Sequence, residues 1–167
     1  MVEGLVFGRL HLLHHPAEHL PFPEGAFDLV CCLEALEFMV RPRAVVAELV
    51  RVTRPGGWLL LTNRLGTDAR LMPGKAWSLE QAQQIYQEEF GLLEVEVQRW
   101  QVDYSLIWAR KPGESLPTRS RPLEEVWCCP RCGKTALLRV AGAYRCTACE
   151  ARVPVGADEI IEALSAL

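Results

Sequence analysis

The chain has 167 residues, half of them apolar, with 18 basic and 21 acidic side chains and a formal net charge of −3. Such a length holds one domain and a small module, and such a composition is that of an ordinary soluble globular protein whose mild charge selects no partner class. No stretch approaches the roughly 18 to 20 uninterrupted apolar residues of a membrane span, since Gly4–Leu13 is short and contains Arg9 and His11. A membrane partner is not expected. The seven cysteines are odd in number, and five of them cluster near the end of the chain. That distribution argues against a disulfide framework and for a metal in a reducing cytoplasm.

In chain order, Gly4–Leu13 reads as a short strand that runs into His14, His15, Pro16 and a polar loop. Ala26–Leu33 is a continuous apolar run of the kind buried on both faces of a parallel sheet, with Cys31 and Cys32 as buried structural cysteines. Pro42 suits the first turn of a helix, and Ala44, Val45, Leu49 and Val52 give that helix an apolar stripe that must stop by Pro55. Trp58–Thr62 is a second buried strand, so strand, helix and strand form a crossover unit with parallel strands. Ser78 and Gln81 make a capping box, and Leu79, Ala82, Ile85, Tyr86 and Phe90 line a helix closed by Gly91.

Beyond that helix, Leu93, Val95 and Val97 alternate with polar residues, and Tyr104–Ala109 follows after too short a connection for anything but an antiparallel hairpin. Trp100, Tyr104 and Trp108 on this hairpin are either core or the lining of a stacking pocket. Pro112, Pro117 and Pro122 mark a linker over residues 111–126. The division read from these signals is an α/β domain at 1–110, the linker, and a small module at 127–167. His11, His14, His15 and His19 invite a metal reading, but Pro16 breaks the helix that would align them, and a strand end with a polar loop is expected instead.

The module carries two knuckles, Cys129-Pro-Arg-Cys132-Gly and Cys146-Thr-Ala-Cys149-Glu, separated by 13 residues. A two-residue gap lets one tight turn bring two thiolates onto the same ion, and two such turns complete the tetrahedral shell of a zinc ribbon. Cys128 competes with Cys129 for the first position, and the C-P-x-C-G form favours Cys129. The residues between the knuckles read as a hairpin, and 158–167 as a short helix that caps the ribbon. Four protein thiolates leave no open position, so this zinc is structural. Between Cys128 and Val155 five basic residues (Arg131, Lys134, Arg139, Arg145, Arg152) accompany one acid, Glu150.

The α/β segment also carries longer motifs. Ala17–Val30 (AEHLPFPEGAFDLV), Leu33–Glu37 (LEALE) and Glu48–Thr62 (ELVRVTRPGGWLLLT) resemble, over about Leu5–Pro112, the class I S-adenosylmethionine-dependent methyltransferases, in their A-x-x-L-P-F-x-x-x-x-F-D-x-V stretch, the segment after their fourth strand, and their helix, Pro-Gly-Gly turn and fifth strand. The resemblance implies a partial Rossmann-like sheet, mostly parallel with a closing antiparallel hairpin. It implies S-adenosylmethionine at the carboxyl ends of the strands, with Pro16, Ala17 and Glu18 near the adenine and Leu33 and Glu34 beside the methionine moiety. No catalytic base is assigned.

The family's G-x-G-x-G loop and ribose-binding acid have no counterpart, as if the chain began at about the third strand. Pro16 stands where an adenine-facing acid is usual, and Phe38 where a His is usual. Without the family's first two strands the Ala26–Leu33 strand is an apolar edge, which calls for a cover: Leu5–Leu13, a second copy, or a separate polypeptide. The expected function is methyl transfer to an acceptor such as RNA or a protein, and the rival is a non-catalytic adaptor that presents the ribbon to RNA or a protein partner.

Overall fold

The computed structural model describes residues 10–65, 75–117 and 121–166, in two compact units: residues 17–117, and residues 10–16 together with 121–166. The expected Leu5–Leu13 strand therefore lies largely outside the described residues, which retain only its end, β1 (Leu12–Leu13).

The larger unit is built on a four-stranded sheet. β2 (Phe27–Cys32) leads through a 3₁₀ turn at Leu36–Phe38 to α1 (Pro42–Val52). Pro42 occupies the first turn, where its missing N–H costs nothing. β3 (Thr53–Arg64) follows, then α2 (Leu79–Gln84), β4 (Leu93–Trp100) and β5 (Tyr104–Arg110). The order across the sheet is β2-β3-β5-β4. β2 and β3 are parallel, and β5 is antiparallel to both β3 and β4. The parallel crossover and the closing hairpin thus lie where the sequence placed them, and β5 slots between its hairpin partner and the parallel pair.

The α2 capping box is complete, with the Gln81 amide donating to Ser78 Oγ and the Gln81 side chain accepting from the Ser78 amide. The helix does not run on as regular α: Ile85–Glu89 form a π turn before Gly91 closes it at φ +63°. Gly57 is required by close approach, because a Cβ there would sit 2.9 Å from the Asp28 carbonyl and from Thr53 Cγ2. The core lies on one face of the sheet, where Val30, Leu59, Leu61, Ile107 and Ala109 meet Val45, Val46, Leu49 and Val52 of α1 and Ala82 and Tyr86 of α2.

The β2 strand corrects one expectation. It is not buried on both faces: Leu29 and Leu33 are 48% and 45% exposed, and Cys31 is exposed. The physical reason is its position. β2 has β3 as its one neighbour in the sheet, and α1 covers only the face that carries Val30.

The smaller unit contains α3 (Leu123–Val126), β6 (Leu137–Val140), β7 (Ala143–Cys146), β8 (Arg152–Pro154) and β9 (Ile160–Ile161). β6-β7-β8 form an antiparallel sheet, and β9 pairs parallel with β1, Leu12 with Ile160 and Leu13 with Ile161. The residues read as a capping helix are therefore a strand followed by a 3₁₀ turn at Ala163–Ala166. One turn of helix, α3, falls inside the segment read as linker. Trp127 is fully buried and meets Tyr144 edge-on, with ring centroids 4.8 Å apart; Leu137, Val153 and Ile161 of the same unit are also buried.

Candidate metal centre and the carboxyl end of the sheet

The two knuckles of the smaller unit repeat one backbone pattern. In the first, the Gly133 amide donates to the Cys129 carbonyl at 2.8 Å, and in the second the Glu150 amide donates to the Cys146 carbonyl at 3.0 Å. Both closing residues are left-handed, Gly133 at φ +70° and Glu150 at φ +61°. Glycine takes that conformation freely, whereas a glutamate is strained there by about 1 kcal/mol.

These turns bring Cys129, Cys132, Cys146 and Cys149 together, with their sulfurs all within 4.8 Å of one another. Cys129 Sγ lies 3.7 Å from Cys149 Sγ, and Cys132 Sγ 3.6 Å from Cys146 Sγ. Four sulfurs about 2.3 Å from a central zinc stand about 3.8 Å apart, so the donor set fits a tetrahedral ion. Cys128 points elsewhere, 3.6 Å from Thr135 Oγ1. Burial pushes the Cys129 thiol up to about 12. Burial acts the same way on Cys146, but the amides of Ala148 and Cys149 outweigh it and bring that thiol down to about 7. Among the described residues this is the one cluster of three or more potential ligands. His14 pairs instead with Glu162 at 2.8 Å.

The basic side chains of the ribbon are partly neutralised. Arg145 is paired with Glu150, and Arg139 bonds Glu159 at 3.3 Å while lying over the Tyr144 ring.

At the carboxyl ends of β2 and β3 a second polar group assembles. Glu34 has φ +49°, its amide donates to Thr62 Oγ1 at 2.6 Å, and its carboxylate accepts from Gln101 Nε2 at 3.3 Å. Glu37 is 3% exposed and accepts a short hydrogen bond from the Tyr104 hydroxyl, while its other oxygen is buried without a partner. That bond to Glu37 pushes the Tyr104 phenol up. Arg64 Nη1 donates to the same hydroxyl at 3.3 Å.

Tyr104, Gln101 and Arg64 were not anticipated as part of this group. The signal was the reversal of β5, whose amino end pairs with the carboxyl end of β3, Arg64 opposite Tyr104. Leu33 is half exposed at the end of β2, whereas Ala17 and Glu18 lie in a turn and Pro16 falls in the other unit. Cys32 is no nucleophile, since burial, with the Glu37 charge second, raises its thiol to about 11.

Comparison with known proteins adds the following. Residues 3–61 match the family described as "Methyltransferase domain". Over 71 residues the chain is 38% identical to a ubiquinone/menaquinone biosynthesis C-methyltransferase of Cupriavidus pinatubonensis, an alignment that covers 42% of this chain and 26% of that protein. Over 54 residues it is 43% identical to phthiotriol/phenolphthiotriol dimycocerosates methyltransferase 1 of Mycobacterium ulcerans, covering 32% and 20% respectively. Among solved structures, an N-methyltransferase of Haemonchus contortus aligns with 58% of this chain and 36% of its own at 15% identity and a TM-score of 0.48. The chain thus spans about a quarter of the length of the curated relatives it matches.

Proposed function

We propose that the chain, whose residues 3–61 match a methyltransferase domain, is a class I S-adenosylmethionine-dependent methyltransferase in which its sheet supplies one side of the cofactor site and its ribbon holds one structural zinc. The observation that carries the cofactor reading is Glu34. It is held in a left-handed conformation by Thr62 at the carboxyl ends of two parallel strands, where open α/β sheets bind their ligands. Leu33 and Glu34 would border the methionine moiety, and Ala17 and Glu18 the adenine. S-adenosylmethionine supplies an activated methyl group when bound, and the protein's part is to orient donor and acceptor in line.

The acceptor we favour is RNA, approached from the ribbon, where Arg131 and Lys134 carry no ion pair among the described residues. The four-cysteine cluster, which leaves a bound metal no open position, supports a second reading, a non-catalytic adaptor that uses the ribbon to recognise RNA or a protein. Calorimetry of the purified chain with S-adenosylmethionine separates the two. Saturable heat that is lost in Glu34→Ala supports a cofactor site in this chain, and no heat at high cofactor concentration removes autonomous methyl transfer and leaves the adaptor.

A further inference from the structure

The face of the sheet opposite α1 and α2 carries an aromatic recess that the cofactor reading does not use. Trp58 of β3 and Trp108 of β5 sit diagonally across the strand pair, because Trp58 is registered with Arg110 and Trp108 with Leu60. Their rings meet edge to face at 81°, with centroids 6.2 Å apart. On the other flank Glu96 of β4 lies directly opposite Trp108. Glu94 is brought to the same place by a bulge between Leu93 and Glu96 and by its own left-handed φ of +49°. These four residues line an open pocket of about 370 Å³. Trp58 is 37% exposed, so its indole is open to solvent at the recess.

The charges in the pocket select the ligand. Glu94 is neutralised by Arg110 at 2.9 Å. Glu96 has no ion pair among the described residues, so one uncompensated negative charge remains beside two indole rings. Ring faces are electron-rich and attract cations within about 6 Å of their centroids. Among the described residues no cationic side chain lines the recess, and the neighbouring Arg110 guanidinium is engaged by Glu94. A strongly hydrated ammonium would lose its water against indole, whereas a methylated one has little water to lose. Trp58 precedes Thr62 by four residues on β3, so the recess is separate from the carboxyl end of the sheet.

We propose that Trp58, Trp108 and Glu96 bind a methylated or quaternary ammonium group. Rings and carboxylate act together: the rings supply a weakly polar wall, and Glu96 supplies the sign selectivity. The test is titration of the full chain with choline, followed by the indole N–H signals of Trp58 and Trp108 in nitrogen–proton NMR spectra. 3,3-Dimethylbutan-1-ol serves as the uncharged twin of choline. Saturable shifts of both indoles are expected with choline, with the alcohol weaker by roughly fivefold or more. Glu96→Gln, at an exposed position, should keep the fold and weaken choline by a similar factor. Trp58→Leu should abolish the shift at Trp108 while the remaining spectrum stays dispersed. Equal binding of the alcohol, an unchanged affinity in Glu96→Gln, or indoles that respond to neither compound would overturn the proposal. The last outcome would mark the recess as a face for another apolar surface instead.

Discussion

Glu48 ties a motif to a helix. Its carboxylate accepts from the Leu20 amide at 2.8 Å and from Arg51, whose guanidinium in turn donates to the carbonyls of Leu20 and Phe22. The loop of the L-P-F motif is thereby pinned to α1 by charge-assisted bonds, each shorter and stronger than a neutral pair. Glu48→Gln keeps the shape and removes the charge. It should lower stability by about 1 to 2 kcal/mol in urea unfolding at neutral pH. The hydrogen bond from Arg51 is the main cause that holds the Glu48 carboxyl below its ordinary value. The sign follows: a carboxyl depressed in the folded state stabilises above its unfolded pKa, and that contribution disappears as pH falls through the folded one. The gap between wild type and Glu48→Gln should therefore close as pH falls below the ordinary carboxylate range. A gap that persists at low pH would assign the effect to packing instead.

Among the elements, the Pro-Gly-Gly segment of β3 and the π turn make different demands on glycine. A methyl group on Gly57 would press on the Asp28 and Arg54 carbonyl oxygens at 2.9 and 3.0 Å, atoms that belong to backbone and cannot rotate away. Gly91 has open space around it and is constrained only by its φ of +63°. Gly91→Ala should cost about 1 kcal/mol from the left-handed conformation alone. Gly57→Ala should cost clearly more, as read from thermal unfolding of both variants. Equal costs would show that β2 and β3 can spread at Asp28.

The same elements show what was legible beforehand. The α1 stripe, the Ser78–Gln81 box, the closing hairpin and the two knuckles each carry a local rule written into neighbouring residues, and each formed as read. Cys31 did not stay buried, because an apolar run says nothing about which of a strand's two faces a helix will cover. The pairing of Leu12–Leu13 with Ile160–Ile161 was invisible because two residues show no periodicity and the partner is far away in the chain. Tyr104 joined Glu37 for the same reason, a non-local reversal that no window around either residue reports.

For the whole molecule, the proposed zinc and the first described strand share a fate. β1 is held by β9 in the unit that carries the four cysteines, and the His14 amide donates to the Ile161 carbonyl at 2.9 Å. A structural zinc in so small a module contributes folding energy on the order of 10 kcal/mol, so its removal should melt the ribbon. Elemental analysis should return one zinc per chain. After chelation, hydrogen exchange at His14 should accelerate together with that of the β7 amides. Protection at His14 that survives chelation would show the strand pair to be independent of the metal.

That strand pair also sets a clock. Residues 148 apart in the chain must meet to form it, and a ribosome adds roughly 5 to 20 residues per second. Leu12 and Leu13 therefore wait about seven to thirty seconds after synthesis before a partner exists. The ribbon is made after the sheet, so the first described strand is completed by the last described one.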